Sequence, residues 1–167
     1  MRLIGLAGFS GCGKTTLLAK LLPVLIGRGR TVSTLKHAHH GFDIDQPGKD
    51  SHTHRLAGAS EVLVSSARRW ALMHELRGEP ELTLRELVPR LSPVDLVIVE
   101  GYKTHAHPKL EVHRSAVGKP LLYPNDANIV ALVSDTRPAD VRLPFADLDD
   151  VEAVADLVDE LAQPFPP

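Results

Sequence analysis

A glycine-rich segment near the amino terminus has the spacing of a phosphate-binding loop. Residues 8–15 read G-x-x-x-x-G-K-T, between an apolar segment with strand character and a segment with helical spacing. Backbone N–H groups of such a loop and of the following helix N-terminus surround a bound phosphate. The lysine faces the β- and γ-phosphates, and the next hydroxyl binds Mg²⁺. The segment predicts a nucleoside triphosphate site made by Gly8, Ser10, Gly11, Cys12, Gly13, Lys14, Thr15 and Thr16.

A carboxylate follows the most apolar strand of the sequence. Residues 96–99 are all apolar and rich in valine and isoleucine, which is typical of a buried parallel strand, and Glu100 comes next. Ligands of open α/β sheets bind beyond the carboxyl ends of the strands. Glu100 is therefore predicted to hold Mg²⁺ directly or through water, or to orient an attacking water. We name Glu100 and Lys14 as catalytic candidates and Thr15 with Glu100 as metal ligands; a surface carboxylate is the alternative.

A polar segment after the second predicted strand carries further candidates. It contains Asp45, a third candidate Mg²⁺ ligand, and His37, His39 and His40, which lack the spacing and the cysteines of a structural zinc site. A segment this long in a compact domain is usually functional, although a solvated loop is the alternative. Charged residues here and in the stretch 109–114 are expected to contact a second, anionic ligand: Lys36, Lys49, Asp50, Arg55, Lys109 and Arg114.

The elements that position these residues alternate along the chain. Apolar runs predict strands at 2–7, 31–35, 96–99, 109–113 and 129–133, and a hairpin at 61–76 turning at Ala67 and Arg68. Helices are predicted at 14–28, 49–58 and 83–91, with a last one capped by Asp149 and ending near 162. The fold class is α/β, a P-loop NTPase with a mostly parallel sheet flanked by helices and an inserted β-hairpin. We expect one domain over residues 1–167.

Composition narrows the function class. The chain has 167 residues, 43% hydrophobic and 24% charged, with a net charge of −2 and one cysteine. This balance gives no general attraction to nucleic acid or to a membrane surface, and one cysteine excludes an internal disulfide. The first residues form a strand and phosphate loop instead of a signal peptide, and no apolar run is long enough to span a bilayer. We expect a cytoplasmic protein with no nucleic-acid or membrane partner.

The order of these motifs resembles the MobB family, the molybdopterin-guanine dinucleotide biosynthesis proteins B. The resemblance covers about residues 1–135 and is carried by the phosphate loop, L-K-H-A-H-H-G-F-D-I-D from Leu35, G-K-D-S from Gly48, V-E-G-Y-K from Val99 and P-K-L-E-V-H-R from Pro108. The phosphate loop alone is generic, whereas the histidine-rich segment, G-K-D-S and V-E-G-Y-K in this order are specific.

The resemblance implies a GTP-binding accessory protein with Mg²⁺ and weak GTPase activity. Such a protein would assist the molybdopterin guanylyltransferase, MobA, which attaches GMP to molybdopterin during molybdenum cofactor biosynthesis. Molybdopterin or the molybdenum cofactor would be the second ligand. The family is typically homodimeric, and the hairpin at residues 61–76 is the expected dimerisation element.

Base recognition and two rival functions stay open at this point. The chain has no Asn-Lys-x-Asp motif, and Asp135, after the strand at 129–133, is the candidate acceptor for guanine N1 and N2, or else a residue that caps the following turn. A metal-delivery GTPase would use His37, His39 and His40. A small-molecule kinase would need an arginine-rich lid, for which Arg68 and Arg69 in the predicted hairpin are candidates, and a positioned base for the hydroxyl of the acceptor substrate.

Overall fold

The computed structural model describes residues 1–38 and 41–165. In chain order the elements are β1 (Arg2–Ala7), α1 (Lys14–Gly27), β2 (Val32–Lys36), α2 (Asp50–Leu56), β3 (Glu61–Ser65), β4 (Trp70–His74), α3 (Leu84–Leu87), β5 (Leu96–Glu100), β6 (Lys109–His113), β7 (Ile129–Ser134), β8 (Phe145–Asp147), α4 (Val151–Leu161) and β9 (Gln163–Pro164). The chain divides into two compact units, one of Met1–His37 with the chain from Val88 onward, and one of Ala38–Leu87.

The first unit is built on one sheet with the strand order β2-β5-β1-β6-β7-β8, all parallel, and β9 added antiparallel to the start of β1. The register pairs Leu6 of β1 with Glu100 of β5, and Lys36 of β2 with the same Glu100. The carboxyl ends of these strands therefore meet at one edge, where the phosphate loop begins. The predicted fold class, a mostly parallel sheet flanked by helices, is confirmed.

Helices α1 and α4 cover one face of this sheet. The apolar side chains of α1 and α4 form one core cluster with those of β1, β5, β6 and β7, and Leu21, Leu25, Val154 and Val158 are fully buried. Helix α1 continues through Pro23, which has no N–H to bond the carbonyl of Ala19, so the helix lacks one of its hydrogen bonds there. The amino end of α4 is capped by Asp150, whose carboxylate accepts the N–H of Ala153 at 3.0 Å. The predicted cap, Asp149, was wrong by one residue.

On the opposite face of the sheet, polar side chains of β6 form hydrogen bonds with the segment between β6 and β7. The Glu111 carboxylate, 1% exposed, accepts the N–H groups of Leu122 at 2.7 Å and Tyr123 at 2.8 Å, and burial raises its pKa. The Nε2 of His113 lies 3.0 Å from the carbonyl oxygen of Lys119. These bonds satisfy a buried carboxylate and fix the chain between β6 and β7 over the sheet.

The second unit contains the predicted hairpin. Strands β3 and β4 pair antiparallel, with Leu63 opposite Leu72 and Val62 opposite Met73, and the Ser66 hydroxyl bonds within the turn to Arg69. Helix α2 precedes the hairpin, and the short α3 follows it. The helix predicted at 83–91 is shorter than expected, because a 3₁₀ turn at Val88–Arg90 replaces its second half.

Two short strands were not predicted. Strand β8 has three residues and β9 has two, one of them proline, so neither has a pattern long enough to indicate a strand. Over the described part of the chain, helices long and apolar enough to cross a membrane are absent.

A histidine is buried against the central strand. The His107 side chain, in a residue 5% exposed, lies so close to Gly5 that a β-carbon there would be 2.4 Å from its Nε2. Burial, with the nearby Lys109 ammonium, lowers the pKa of His107 to about 4. The native state therefore keeps this ring neutral where an unfolded chain would protonate it.

We predict that His107 makes the protein acid-sensitive. Because its folded pKa lies below its unfolded value of about 6.5, its contribution to stability is complete above that pH and falls as the pH drops toward 4. We would measure the free energy of unfolding by urea titration at several pH values between 7 and 4. It should fall more steeply with decreasing pH in the wild type than in His107→Leu, and the difference in slope corresponds to up to about one proton taken up per molecule unfolded. Equal slopes in the two proteins would contradict this role.

Candidate functional site

The loop between β1 and α1 is shaped to surround an anion. Gly8 has a φ of 147°, and a β-carbon there would lie 2.3 Å from the carbonyl oxygen of Val112, so only glycine fits between the loop and β6. The Lys14 ammonium folds back over the loop and donates to the carbonyls of Gly8 at 2.9 Å and Phe9 at 3.0 Å. The Cys12 side chain, in a residue 1% exposed, belongs to the apolar core.

The amino end of α1 opens into a cavity at this edge of the sheet. Gly13, in the left-handed conformation, precedes the helix and offers no side-chain cap, and the first turn holds no acidic residue. Its N–H groups and the positive end of the helix dipole therefore favour an anion. The cavity has a volume of about 400 Å³ and is lined by Ser10, Gly11, Gly13, Lys14, Thr15, Thr16, Lys36 and Glu100. It is within the usual size range of small-molecule sites.

Thr15 and Glu100 meet in this cavity. The Thr15 hydroxyl donates to Oε1 of Glu100 at 2.8 Å, and the Lys36 ammonium lies 3.6 Å from the same oxygen. A hydroxyl and a carboxylate oxygen beside a phosphate site are the hard oxygen donors that Mg²⁺ prefers, with phosphate oxygens and water as its other ligands. The pair therefore fits Mg²⁺. In the described residues, groups of three or more histidine, cysteine or acidic side chains suited to a metal are absent.

The lysine of the loop is electrostatically poised for an anion. Burial and the positive charge of Lys103 lower the pKa of Lys14, while Glu100 opposes the shift. A bound phosphate would supply the negative charge that offsets both effects. Lys103 was not among the sequence-based candidates, because its proximity to Lys14 arises only when the chain after β5 folds back toward the loop.

Arg114 and Asp135 lie on the β6–β7 side of the loop. The Arg114 guanidinium is beside Gly13, with Nη2 3.7 Å from the position that a β-carbon would take there. The Asp135 carboxylate accepts the Ser115 N–H at 2.9 Å and its hydroxyl at 3.0 Å. These bonds to Ser115, together with the charge of Arg114, lower the pKa of Asp135. The structure thus shows Asp135 holding the turn that follows Arg114; guanine binding by Asp135 stays a prediction.

The structure argues against Lys109 as a ligand-binding residue. Its side chain is fully buried, and its ammonium donates to the carbonyl of Lys103 at 2.7 Å and to the carboxylate of Asp126 at 2.8 Å. A buried ammonium must keep such partners, because leaving it unpaired costs several kcal/mol (on the order of 3–5). The alternation of β6 turns Lys109 toward the interior of the unit instead of toward a cleft.

Asp45 and Arg55 are engaged with each other in the second unit. The Arg55 guanidinium binds the two oxygens of Asp45 at 2.9 and 3.2 Å, and it also pairs with Asp43 at 2.8 Å and Glu75 at 3.2 Å. These carboxylates raise the pKa of Arg55. This network occupies the groups predicted to bind Mg²⁺ and an anion, so neither Asp45 nor Arg55 presents them to a ligand here. Lys49 and Asp50 are exposed at the start of α2.

The remaining candidates fall in different places. The His37 ring packs on Tyr102, with centroids 4.6 Å apart, while His39 and His40 lie outside the described residues. Arg68 and Arg69 are in the turn of the β3–β4 hairpin. The structure thus brings together the phosphate loop, Glu100, Lys36 and Arg114 within the first unit.

The sequence resembles known proteins of one family. Residues 3–135 match the family described as MobB, molybdopterin guanine dinucleotide synthesis protein B. The chain belongs to the MobB family. It is 43% identical to a molybdopterin-guanine dinucleotide biosynthesis adapter protein of Escherichia coli strain K12, over 96% of this chain and 93% of that protein. A protein of the same description from Haemophilus influenzae is 38% identical, over 94% of this chain and 87% of its own length.

Solved structures of the family have the same fold. A crystal structure of molybdopterin-guanine biosynthesis protein B superposes with a TM-score of 0.76 and 27% identity, covering 95% of this chain and 99% of that one. A MobB homologue from Bacillus stearothermophilus gives a TM-score of 0.71 and 26% identity, over 96% of this chain and 98% of its own. The similarity therefore extends over both units.

We predict that Thr15 and Glu100 make nucleotide binding depend on Mg²⁺. Thr15→Ala removes one oxygen, and Glu100→Gln keeps the shape of the side chain but removes its charge. Each variant should weaken the effect of Mg²⁺ on triphosphate affinity by about tenfold or more, which is about 1.4 kcal/mol. Calorimetric titrations with and without Mg²⁺ measure this. If both variants keep the Mg²⁺ dependence of the wild type while remaining folded, the pair is structural.

Proposed function

We propose that the protein is a Mg²⁺-dependent GTP-binding adapter that assists the attachment of GMP to molybdopterin in molybdopterin guanine dinucleotide biosynthesis. The observation that best supports nucleotide binding is the 2.8 Å hydrogen bond between Thr15 and Glu100, which lies beside the phosphate loop and the Lys14 ammonium. Family membership carries the pathway part.

In this proposal the residues of the first unit have distinct tasks. The backbone of residues 8–13 and the amino end of α1 bind the β-phosphate, and Lys14 leaves the carbonyls of the loop for the β- and γ-oxygens. Thr15 and Glu100 would hold Mg²⁺, which neutralises phosphate charge when bound. Because Glu100 is held by Thr15 and Lys36, and the described residues that line the cavity include no stronger base, hydrolysis of GTP is proposed to be weak.

Guanine is proposed to bind near Asp135, at the end of β7. The Asp135 carboxylate accepts the N–H of Ser115 on Oδ1 and the hydroxyl of Ser115 on Oδ2, and Oδ1 also accepts the Ser134 hydroxyl at 3.4 Å. The second lone pair of Oδ2 is the place proposed for another donor. The N1 and N2 hydrogens of guanine are donors, whereas the corresponding edge of adenine offers an acceptor at N1. A carboxylate at this place therefore favours guanine over adenine.

The second ligand is proposed to be the phosphate-bearing molybdopterin or molybdenum cofactor, delivered in concert with the guanylyltransferase MobA. Lys36 and Arg114 lie beside the phosphate loop and supply positive charge there. Lys49 and Asp50, exposed in the second unit, remain proposed contacts.

We predict that nucleotide binding is required for the adapter activity. Adding the wild type with Mg²⁺-GTP to a MobA reaction should raise the yield of dinucleotide cofactor. Lys14→Ala should lower GTP affinity by at least about tenfold, because it removes a charge facing the phosphates, and should lose the stimulation. Lys20→Ala, an exposed lysine on the same helix, is the matched control and should keep both.

Other outcomes separate the rival functions. Stimulation that persists in Lys14→Ala would show that the nucleotide site is irrelevant to the adapter role. Absence of stimulation by the wild type, with transfer of the γ-phosphate to an acceptor, would support the kinase. Stoichiometric nickel or zinc binding that is lost when His37, His39 and His40 are all replaced by alanine would support metal delivery.

The hairpin is proposed to join two copies of the chain. One face of the β3–β4 ribbon shows Leu63, Leu72 and Trp70, which are 61%, 45% and 65% exposed. The other face carries Val62, 8% exposed, next to α2. An apolar two-stranded face left in water is unfavourable, and a twofold-related copy of the same ribbon matches it with like against like. A homodimer is therefore proposed.

We predict that Trp70, the one tryptophan of the sequence, reports this interface. Sedimentation at micromolar concentration should show a dimer, and dilution should shift tryptophan emission to the red as the indole enters water. Leu72→Lys places a charge in the apolar face and should give a monomer with red-shifted emission at all concentrations. Arg68→Lys, in the turn, is the control and should remain dimeric. A wild-type monomer at these concentrations would overturn the proposal.

A further inference from the structure

The chain leaves β5 through an unusual backbone turn. Gly101 has a φ of 99° and Tyr102 a φ of 50°, so two consecutive residues adopt the left-handed conformation. A β-carbon on Gly101 would lie 2.9 Å from the β-carbon of His37, which leaves no room for another residue. A tyrosine at positive φ is uncommon and unfavourable, and such conformations persist only where surrounding contacts impose them. The turn therefore has to be held in place.

Aromatic packing holds the turn from one side. Tyr102 is 5% exposed, and its ring lies 4.6 Å from that of His37 and 4.8 Å, edge-on, from that of His105. The backbone of His37 donates to the carbonyl of Glu100 at 2.9 Å. The end of β2 and the turn after β5 are thus packed as one piece.

A buried cation holds the turn from below. The Lys109 ammonium, fully buried, donates at 2.7 Å to the carbonyl of Lys103 and at 2.8 Å to Asp126. Burying an ammonium is costly, and here one of its bonds goes to a single backbone carbonyl in the segment between β5 and β6. The result is that the backbone of Lys103 is fixed by the interior of the unit.

This fixed backbone directs the Lys103 side chain to the phosphate loop. Its ammonium lies over the Phe9 ring, 5.3 Å from the centroid, and the carbonyl of Phe9 accepts the Lys14 ammonium. Two ammonium groups are therefore held near the same loop, where each raises the electrostatic energy of the other. The cation–π attraction between an ammonium and an aromatic ring is modest, so the ammonium can leave the ring for a stronger partner. An anion between the two lysines would relieve their repulsion.

We propose that Lys103 is a phosphate-binding residue that engages the terminal phosphate of the nucleoside triphosphate, leaving the Phe9 ring when the triphosphate binds. This deepens, and rests on, the proposed nucleotide-binding function. Lys14 and Lys103 then neutralise the β- and γ-phosphates from two sides, while Glu100 and Thr15 face the metal.

The test compares a triphosphate with a diphosphate. Affinities of the β,γ-imido analogue of GTP and of GDP, each with Mg²⁺, are measured by calorimetry for the wild type, Lys103→Met and Lys103→Arg. Lys103→Met keeps the length of the side chain but removes its charge. It should lower the affinity for the analogue by about tenfold or more and the affinity for GDP by less than about twofold. Lys103→Arg, which restores the charge, should recover most of the lost affinity for the analogue. Lys119→Met, an exposed lysine beyond β6, is the matched control and should match the wild type.

A second measurement needs no variant. Acetylation of the Lys103 amine in the wild type, followed by mass spectrometry, should slow several-fold with the imido analogue and little with GDP. Loss of analogue binding in Lys14→Ala with none in Lys103→Met, and unchanged Lys103 acetylation, would overturn the Lys103 proposal and leave the nucleotide site intact. Equal weakening of the analogue and GDP by Lys103→Met would make Lys103 a general loop contact and also overturn it. Failure of the wild type to bind either nucleotide would overturn both proposals.

Discussion

The register between β1 and β5 determines what stands at the phosphate edge of the sheet. With Leu6 opposite Glu100, the phosphate loop and the carboxylate leave neighbouring strands at the same level, and Thr15 reaches Glu100 at 2.8 Å. A slip of one residue would turn Glu100 to the other face and place an apolar side chain in the cavity. All five residues of β5 are buried, so the strand has no alternation of apolar and polar residues that could set its register. Polar bonds at Asp95, just before β5, anchor it instead: the Asp95 carboxylate accepts the N–H and the hydroxyl of Thr31 at 2.8 and 2.7 Å, and its carbonyl accepts the N–H of Arg2 at 3.0 Å.

Around this edge the chain uses its cations in two ways. Lys109 and Arg55 are committed to carboxylates and carbonyls within their own units, where they hold segments in place. Lys14, Lys36, Lys103 and Arg114 instead surround the phosphate loop, and their positive charge is only partly balanced by Glu100 and Asp135. Positive potential therefore collects at one place on a protein whose net charge is −2. In the proposed function a nucleotide would be attracted by that local field, which the overall charge does not reveal.

Much of this arrangement could be predicted from residue patterns, and the failures have physical causes. The strands, the first and last helices and the hairpin follow from apolar periodicity, and the phosphate loop follows from residues 8–15 because its chemistry depends on contiguous residues. The sequence predicts Lys109 and Arg55 as ligand-binding residues, yet each is paired within the protein, because a sequence shows the type of a charge and not its partner. Lys103 was missed for the converse reason, since a turn at positive φ brings it to the loop. Strands β8 and β9 exist only through neighbours already in the sheet.

The shortest strand closes a gap that the parallel sheet leaves open. Strand β6 pairs with β1 only at Gly5–Ala7, so the backbone of Arg2 and Leu3 would face water on that side. Residues Gln163 and Pro164 of β9 fill this slot, and the Arg2 side chain bonds back to the carbonyls of Asp159 and Ala162 at the end of α4. Exposed, unpaired strand backbone of this kind favours aggregation, because its N–H and C=O groups can pair with strands of other chains. The segment after α4 thus protects the backbone at the start of β1. A chain that ends at Leu161 would keep its phosphate loop but would expose this unpaired strand backbone, which favours aggregation.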